Sequence, residues 1–256
     1  MSFEGQSVLV TGGAGGLGAA TVRKLHAEGA AVVIADLADD KAEALAEELG
    51  NKVAYVRTDV LDDEAVLDAI AKAEELGDFR SVVIAHGGFG VLEKVVNRDG
   101  SPHTKKGFTD TIALYLTGTY NVLRLAAANI ATREPLTDGA RGAIVMTSSI
   151  AGYEGQIGQS AYAAAKGGVI SLTLTAARDL SAVGIRVNSI APGTMRTPLM
   201  ELLGEEGLAK FASSVPFPKR LGQPEEFAGL AQYLLENTYI NGEVVRIDGG
   251  QRFQPK

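Results

Sequence analysis

The chain has 256 residues, 46% hydrophobic and 21% charged, with a formal net charge of −7; that length suits an α/β domain with a large core. The acidic balance argues against nucleic acid or an anionic membrane as a partner, since both need a basic surface. The absence of cysteine excludes disulfides and thiolate metal sites, and the three histidines (His26, His86 and His103) show no metal spacing.

Short apolar runs alternate with helical patterns along the chain. Residues 7–11 read as a strand, followed by a glycine-rich turn and a helix to about His26. A second strand at 31–36 precedes a helix over 41–49, and a third at 53–57 precedes a helix over 62–76 opened by acidic residues, as the helix dipole favours. A fourth strand is expected at 81–85, a polar, glycine-containing loop over 87–107 and a long helix over 109–132. A fifth strand at 142–147 leads into a long helix over 160–183. A sixth strand at 186–191 ends at Pro192-Gly193, and an excursion over about 194–218 follows, helical over 198–214. A helix over 224–236 with Pro at its first turn and a last strand at 244–247 complete the pattern. Seven almost continuously apolar strands separated by helices imply a doubly wound α/β fold, with a parallel sheet covered on both faces. No repeat or linker divides the chain, so residues 1–256 are expected to form a single domain. No apolar run approaches the ~20 residues of a membrane span, and no signal peptide is evident, so a cytoplasmic protein is expected.

The first turn, Thr11-Gly12-Gly13-Ala14-Gly15-Gly16-Leu17-Gly18, packs five glycines into seven residues between a strand and a helix. Such a turn lets backbone approach a diphosphate, and the helix beyond presents free N–H groups and a positive dipole end. A plain strand–helix turn is the alternative, but it needs one or two glycines. Asp36 ends the second strand, where a carboxylate accepts from both adenosine ribose hydroxyls and repels a 2′-phosphate. Residues 37–40 supply no Arg or Lys for that phosphate, so NAD is favoured over NADP. Asp59 either meets the adenine edge, with the backbone of Val60, or caps the next helix.

Tyr162 and Lys166 stand four apart on one helix face, thirteen and seventeen residues after Ser149. A free phenol has a pKa near 10 and is a poor base at neutral pH. An ammonium about 4 Å away, at an effective dielectric near 20, favours the phenolate by roughly 4 kcal/mol. Chance also supplies such pairs, and the bland alternative is one buried aromatic beside a solvated lysine.

The chain resembles the short-chain dehydrogenases/reductases over essentially its full length. The resemblance rests on Thr11–Gly18, Asp59-Val60, Ser149…Tyr162-x3-Lys166, Pro192-Gly193-x3-Thr197 and Ile247-Asp248-Gly249-Gly250. Residues 153–159, 215–222 and 236–244 look like the type II 3-hydroxyacyl-CoA dehydrogenases, which also act on hydroxysteroids. The resemblance implies a Rossmann sheet, NAD as cofactor and a small-molecule substrate. Tyr162 would be the general acid/base, Lys166 its helper and ribose ligand, and Ser149 the holder of the substrate oxygen. Gly12, Gly15, Gly16, Leu17, Gly18, Asp36, Asp59, Val60, His86 and Gly87 would border the cofactor. Pro192, Gly193, Met195 and Thr197 would meet the nicotinamide, and Gln156 with the 198–214 segment would line the substrate pocket. The small residues Ala163, Ala164, Ala165, Gly167 and Gly168 suit a helix contact in a homo-oligomer, usually a tetramer in the family, though packing on the sheet would use them too. An NAD-binding protein of the same fold with weak or lost activity, or a reductase of another bulky ketone, is the alternative.

Two positions depart from the family pattern. Tyr115 stands where an Asn usually anchors a water linking the lysine to solvent, and Asn121 lies too far round the helix to replace it. His86 stands where a small side chain is common. Either backbone carbonyls hold the water and His86 points into solvent, or the proton relay is changed. His103 lies in a basic stretch with Lys105 and Lys106, which either meets an acidic group such as a CoA phosphate or forms a solvated loop.

Overall fold

The computed structural model describes residues 3–88 and 90–255; Met1, Ser2, Phe89 and Lys256 of the 1–256 span lie outside the described residues. The strands are β1 (Gln6–Thr11), β2 (Ala31–Asp36), β3 (Val53–Arg57), β4 (Asp78–Ile84), β5 (Gly142–Thr147), β6 (Ile185–Pro192) and β7 (Val244–Ile247). They form one sheet in the order β3-β2-β1-β4-β5-β6-β7, with every neighbouring pair parallel. Strand order reverses between β1 and β4, which opens a crevice at their C-terminal ends, the usual ligand position in such sheets.

The helices are α1 (Gly16–Ala27), α2 (Asp39–Leu49), α3 (Asp63–Leu76), α4 (Lys105–Ile112), α5 (Gly118–Ile130), α6 (Ser160–Ser181), α7 (Pro198–Glu201), α8 (Gly204–Ser213) and α9 (Pro224–Glu236). Alternate strand residues feed two cores. Val8, Val10, Val32 and Ile34 pack with Val22 and Leu25 of α1 and Phe227 and Leu234 of α9. Leu9, Val33, Ile84 and Met146 pack on the opposite face with Ile70 of α3, Val122 of α5 and Val169 of α6. Burial on both faces is why the strands read as continuous apolar runs.

Three boundaries depart from expectation. β4 begins at Asp78 rather than at 81; its start is disguised by Asp78 and Arg80, which pair with each other while Arg80 also donates to the carbonyls of Glu134 and Arg141. The helix expected over 109–132 begins at Lys105, with Thr104 as its N-cap. It is also interrupted by a π-helical turn at Ala113–Thr117 that separates α4 from α5. Within that turn the Leu114 carbonyl accepts from His86 Nε2 at 3.2 Å, and Tyr115 is pinned to Gly88. Side chains reaching into a helical ladder in this way account for such turns.

Candidate active site

The glycine turn lies at the C-terminal end of β1. A Cβ on Gly18 would stand 2.0 Å from the Gly12 carbonyl oxygen, and one on Gly12 2.4 Å from His86 Cα. These glycines are demanded by the chain's own packing. Gly15 differs, because a Cβ there would meet only the Gly12 oxygen, at 3.2 Å. Gly15 is the N-cap of α1; no side chain caps that end and no acidic residue sits in its first turn. An open glycine beside uncapped N–H groups fits an anionic diphosphate. Gly16 is covered from the other side by Thr197 and Pro198, so the excursion after β6 begins against this turn.

Asp36 Oδ2 accepts from Ala14 N at 2.9 Å, and Oδ1 accepts from Leu37 N and Ala38 N at 2.8 and 3.0 Å. The carboxylate is thereby held at the end of β2 beside the turn. The fold also brings a cation that residues 37–40 lack: Arg57 Nη1 donates to the Leu37 carbonyl at 3.1 Å. Its charge is engaged by Asp39, which holds the Arg57 guanidinium above its ordinary pKa while Tyr55 and Arg57 hold Asp39 below the usual carboxylate range. The helix-cap alternative for Asp59 is corrected: Asp62 caps α3, accepting from Glu64 N at 2.9 Å, and exposed Asp59 accepts from Leu61 N. The Val60 carbonyl takes the Asn121 amide at 3.0 Å and Arg124 Nε donates to the Asn121 side-chain oxygen at 2.9 Å, so Asn121 is fully engaged there.

Ser149, Tyr162 and Lys166 converge beyond β5. Ser149 is the N-cap of a short 3-10 turn, Ile150–Gly152, and its Oγ accepts from Ala151 N at 3.1 Å. Burial holds the Tyr162 phenol above its ordinary pKa, and a hydrogen bond with Ser149 opposes that rise. Lys166 is buried, not solvated, and burial pulls it down to about 7. Its Nζ donates to the Thr147 carbonyl at 2.8 Å, lies 4.7 Å from the Tyr115 ring centre and 5.9 Å from that of Tyr162. The sequence-based expectation that the ammonium makes this phenol acidic is therefore not met within the protein itself. Desolvation outweighs the opposing influence of Ser149, and the lysine proton is directed to a backbone carbonyl.

Tyr115 and His86 both turn inward. Tyr115 is 2% exposed, and its ring stands edge-on to Tyr162 with centres 5.0 Å apart. Its hydroxyl donates to the Gly88 carbonyl and accepts from Gly88 N at 2.9 Å; Gly87 packs against the ring edge. His86 does not point into solvent. Its Nε2 contacts the Leu114 carbonyl and its Nδ1 lies 2.9 Å from Thr11 Oγ1. A carbonyl only accepts, so Nε2 carries the proton and Nδ1 accepts from the Thr11 hydroxyl. Burial, then the Lys166 charge, lower the imidazole to about 4, so it is neutral at pH 7.

The remaining site residues are less uniform. Pro192 ends β6, and Gly193 N donates to the Ile247 carbonyl at 3.0 Å. Met195 turns its side chain into the core against Gly222. Thr197 caps α7. Gln156 spends its amide on the Gln254 carbonyl at 3.1 Å, so it faces the C-terminal tail. The stretch around His103 is solvated, with Ser101, Pro102, Thr104, Lys105 and Lys106 exposed, while the His103 ring itself is partly buried with its Nε2 3.2 Å from Glu93. Sequence reading missed the Thr147 carbonyl, which has no residue signature, and Glu154, Arg246 and Gln251, whose partners lie far away in the chain. Among the described residues no three His, Cys, Asp or Glu side chains cluster to hold a metal, and no helix is long and apolar enough to cross a membrane.

Residues 12–252 match the protein family described as enoyl-(acyl carrier protein) reductase. The chain is 44% identical over 255 residues to the 3-hydroxyacyl-CoA dehydrogenase type-2 of Homo sapiens, covering 99% of this chain and 98% of that protein. It is 44% identical over 248 residues to the protein of that name from Drosophila melanogaster, covering 96% and 97%. The crystal structure of 3-hydroxyacyl-CoA dehydrogenase type-2 from Mycobacterium avium shares 64% identity, with a TM-score of 0.97 over 100% of this chain and 99% of that one. A Rossmann-type sheet, a glycine turn beside an acidic strand end, and Ser, Tyr and Lys gathered beyond β5 agree with these relatives: the chain belongs to the short-chain dehydrogenase/reductase family, oxidoreductases acting on CH–OH groups with a nicotinamide cofactor.

Proposed function

We propose that the protein is an NAD-dependent dehydrogenase of 3-hydroxyacyl-CoA esters or of hydroxysteroid-type secondary alcohols. The observation that carries this reading is the gathering of Ser149, Tyr162 and buried Lys166, with Lys166 Nζ 5.9 Å from the Tyr162 ring centre. Asp36, aimed at the glycine turn with nearby Arg57 tied to Asp39, favours NAD over NADP. The relatives named for 3-hydroxyacyl-CoA support the substrate class. So do exposed Leu202 and Leu203 on the excursion, which suit an apolar acyl or ring body, and exposed Lys105 beyond the loop that reaches Tyr162 at Gly90.

Nicotinamide, when bound, would accept or supply the hydride. Gly12, Gly15, Gly16, Leu17 and Gly18 would hold its diphosphate, Asp36 the adenosine ribose, and Asp59, Val60 and Gly87 would border the adenine side. His86 supports that floor from beneath instead of touching solvent. Ser149 Oγ would hold the substrate oxygen, and Tyr162 Oη would take the hydroxyl proton during oxidation and return it during reduction. Lys166 would stabilise the phenolate and hold the nicotinamide ribose; Pro192, Gly193, Met195 and Thr197 would border the ring. An open apolar groove lined by Leu116, Tyr120, Gly168 and Leu172 supports a homo-oligomer, a tetramer in this reading. A cytoplasmic location accompanies it, consistent with the cysteine-free composition. Purified protein mixed with NAD and a panel including 3-hydroxybutyryl-CoA and a hydroxysteroid should produce NADH. Tyr162→Phe should lower turnover by roughly 100-fold or more; equal turnover would defeat the mechanism.

A further inference from the structure

The Gln251 side chain is fully buried and every one of its bonds crosses to another segment. Its Oε1 accepts from Thr194 N at 2.9 Å and Thr194 Oγ1 at 3.1 Å, in the turn after β6. Its Nε2 donates to Ser214 Oγ at 2.7 Å, and that hydroxyl donates to the Phe211 carbonyl at 2.7 Å in the last turn of α8. Neighbouring geometry leaves the carboxamide little freedom: a Cβ on Gly193 would stand 2.9 Å from Gln251 Oε1. The backbone on which it rides is clamped as well. Arg246 grips both carboxylate oxygens of Glu154 at 2.7 and 3.0 Å and donates to the Gln251 carbonyl at 3.1 Å. Ile157 N donates to the Pro255 carbonyl at 3.0 Å.

We propose that Gln251 is a positioning residue that couples the turn at 192–197 to the helical excursion at 198–214, so that order imposed on one is passed to the other. The excursion already touches the glycine turn at its near end, through Thr197 and Pro198 on Gly16. Gln251 ties down its far end from the same turn. Separating Thr194 from Ser214 would strand a buried carboxamide without partners, which costs its full desolvation penalty. The inference rests on the reading that the turn borders nicotinamide and the excursion borders substrate. On that reading, filling the cofactor site orders the wall against which the substrate packs, a coupling of two sites through one shared element.

The test uses Gln251→Met, which keeps length without the hydrogen bonds, and Ser214→Ala, which cuts the link from its exposed end. Three readouts are taken: NADH binding by fluorescence titration, tryptic cleavage after Lys210 of α8 with and without NADH, and kcat and KM for acetoacetyl-CoA reduction. NADH should protect Lys210 in the wild type, and both variants should lose about tenfold of that protection while NADH affinity stays within about twofold. KM for acetoacetyl-CoA should rise with kcat nearly unchanged. Wild-type protection and KM in a folded Gln251→Met, or in Ser214→Ala should the first fail to fold, would show a purely structural residue and overturn the coupling. NADH binding without protection of Lys210 in the wild type would overturn it too. A wild type that binds no NADH would instead sink the cofactor-site reading, and this coupling with it.

Discussion

Replacing Tyr115 by Phe separates what its hydroxyl does from what its ring does. The hydroxyl makes two hydrogen bonds to Gly88, one donated to the carbonyl and one accepted from the amide at 2.9 Å. Net contributions of about 1 kcal/mol each, reduced because exposed Gly88 can turn to water, give a loss of about 1–2 kcal/mol. For a chain of this size that lowers Tm by roughly 3–6 °C. The ring stays, and with it the 4.7 Å contact to Lys166 Nζ and the 5.0 Å edge contact to Tyr162. Turnover should therefore stay within about threefold of wild type, since the proton-bearing atoms keep their neighbours. Thermal denaturation and initial rates of NADH formation measure both quantities on one preparation. An unchanged Tm with a fall of roughly 100-fold in kcat, about 2.7 kcal/mol in the barrier, would refute the reasoning and put the hydroxyl in the proton path. Tyr115→Asn removes the ring as well, at about 3–5 kcal/mol; a pH–rate profile identical to wild type in that variant would show that the altered environment of Lys166 leaves the relay untouched.

His86 has a folded pKa of about 4 against an ordinary 6.5, so the unfolded chain takes up the proton first. Its contribution is complete above pH 6.5 and is lost as pH falls toward 4, about 3 kcal/mol in all. Denaturant titrations between pH 7 and pH 4 should show a flatter dependence in His86→Asn, and parallel curves would refute the assignment. Lys166, lowered from 10.5 to about 7, has the same sign at higher pH: its burial cost is full below 7 and is relieved as pH rises toward 10.5, so Lys166→Met should be stabilised most at neutral and lower pH. Asp36→Ala should reduce the NAD-over-NADP ratio of kcat/KM by roughly 10–100-fold, and an unchanged ratio would remove Asp36 from cofactor selection. Gly18→Ala would drive a Cβ to 2.0 Å from the Gly12 oxygen; it should abolish NADH binding in titrations, and wild-type affinity would mean the turn is looser than its packing indicates.

Periodicity and local chemistry determined a large share of this protein. Strands buried on both faces must be apolar throughout, so β1, β2, β5 and β6 were legible as runs of Val, Ile and Ala. Glycines at 12, 15, 16 and 18, the carboxylate at 36 and the four-residue step from Tyr162 to Lys166 are contiguous signals, because the backbone geometry they serve is local. Tertiary structure alone decided where the charges and protons go. The partner of Lys166 is the Thr147 carbonyl, nineteen residues away in the chain, not the neighbouring phenol. His86 turns inward because Thr11 and Leu114 offer it partners across the sheet, and that bond accompanies a π turn that no helical periodicity announces. The tail at 251–255 reads as polar and unremarked, yet it meets Thr194, Ser214 and Ile157, contacts between 37 and 98 residues apart. Burial and long-range hydrogen bonding are properties of the folded neighbourhood, and they decided the electrostatics of a site whose residue types were already evident.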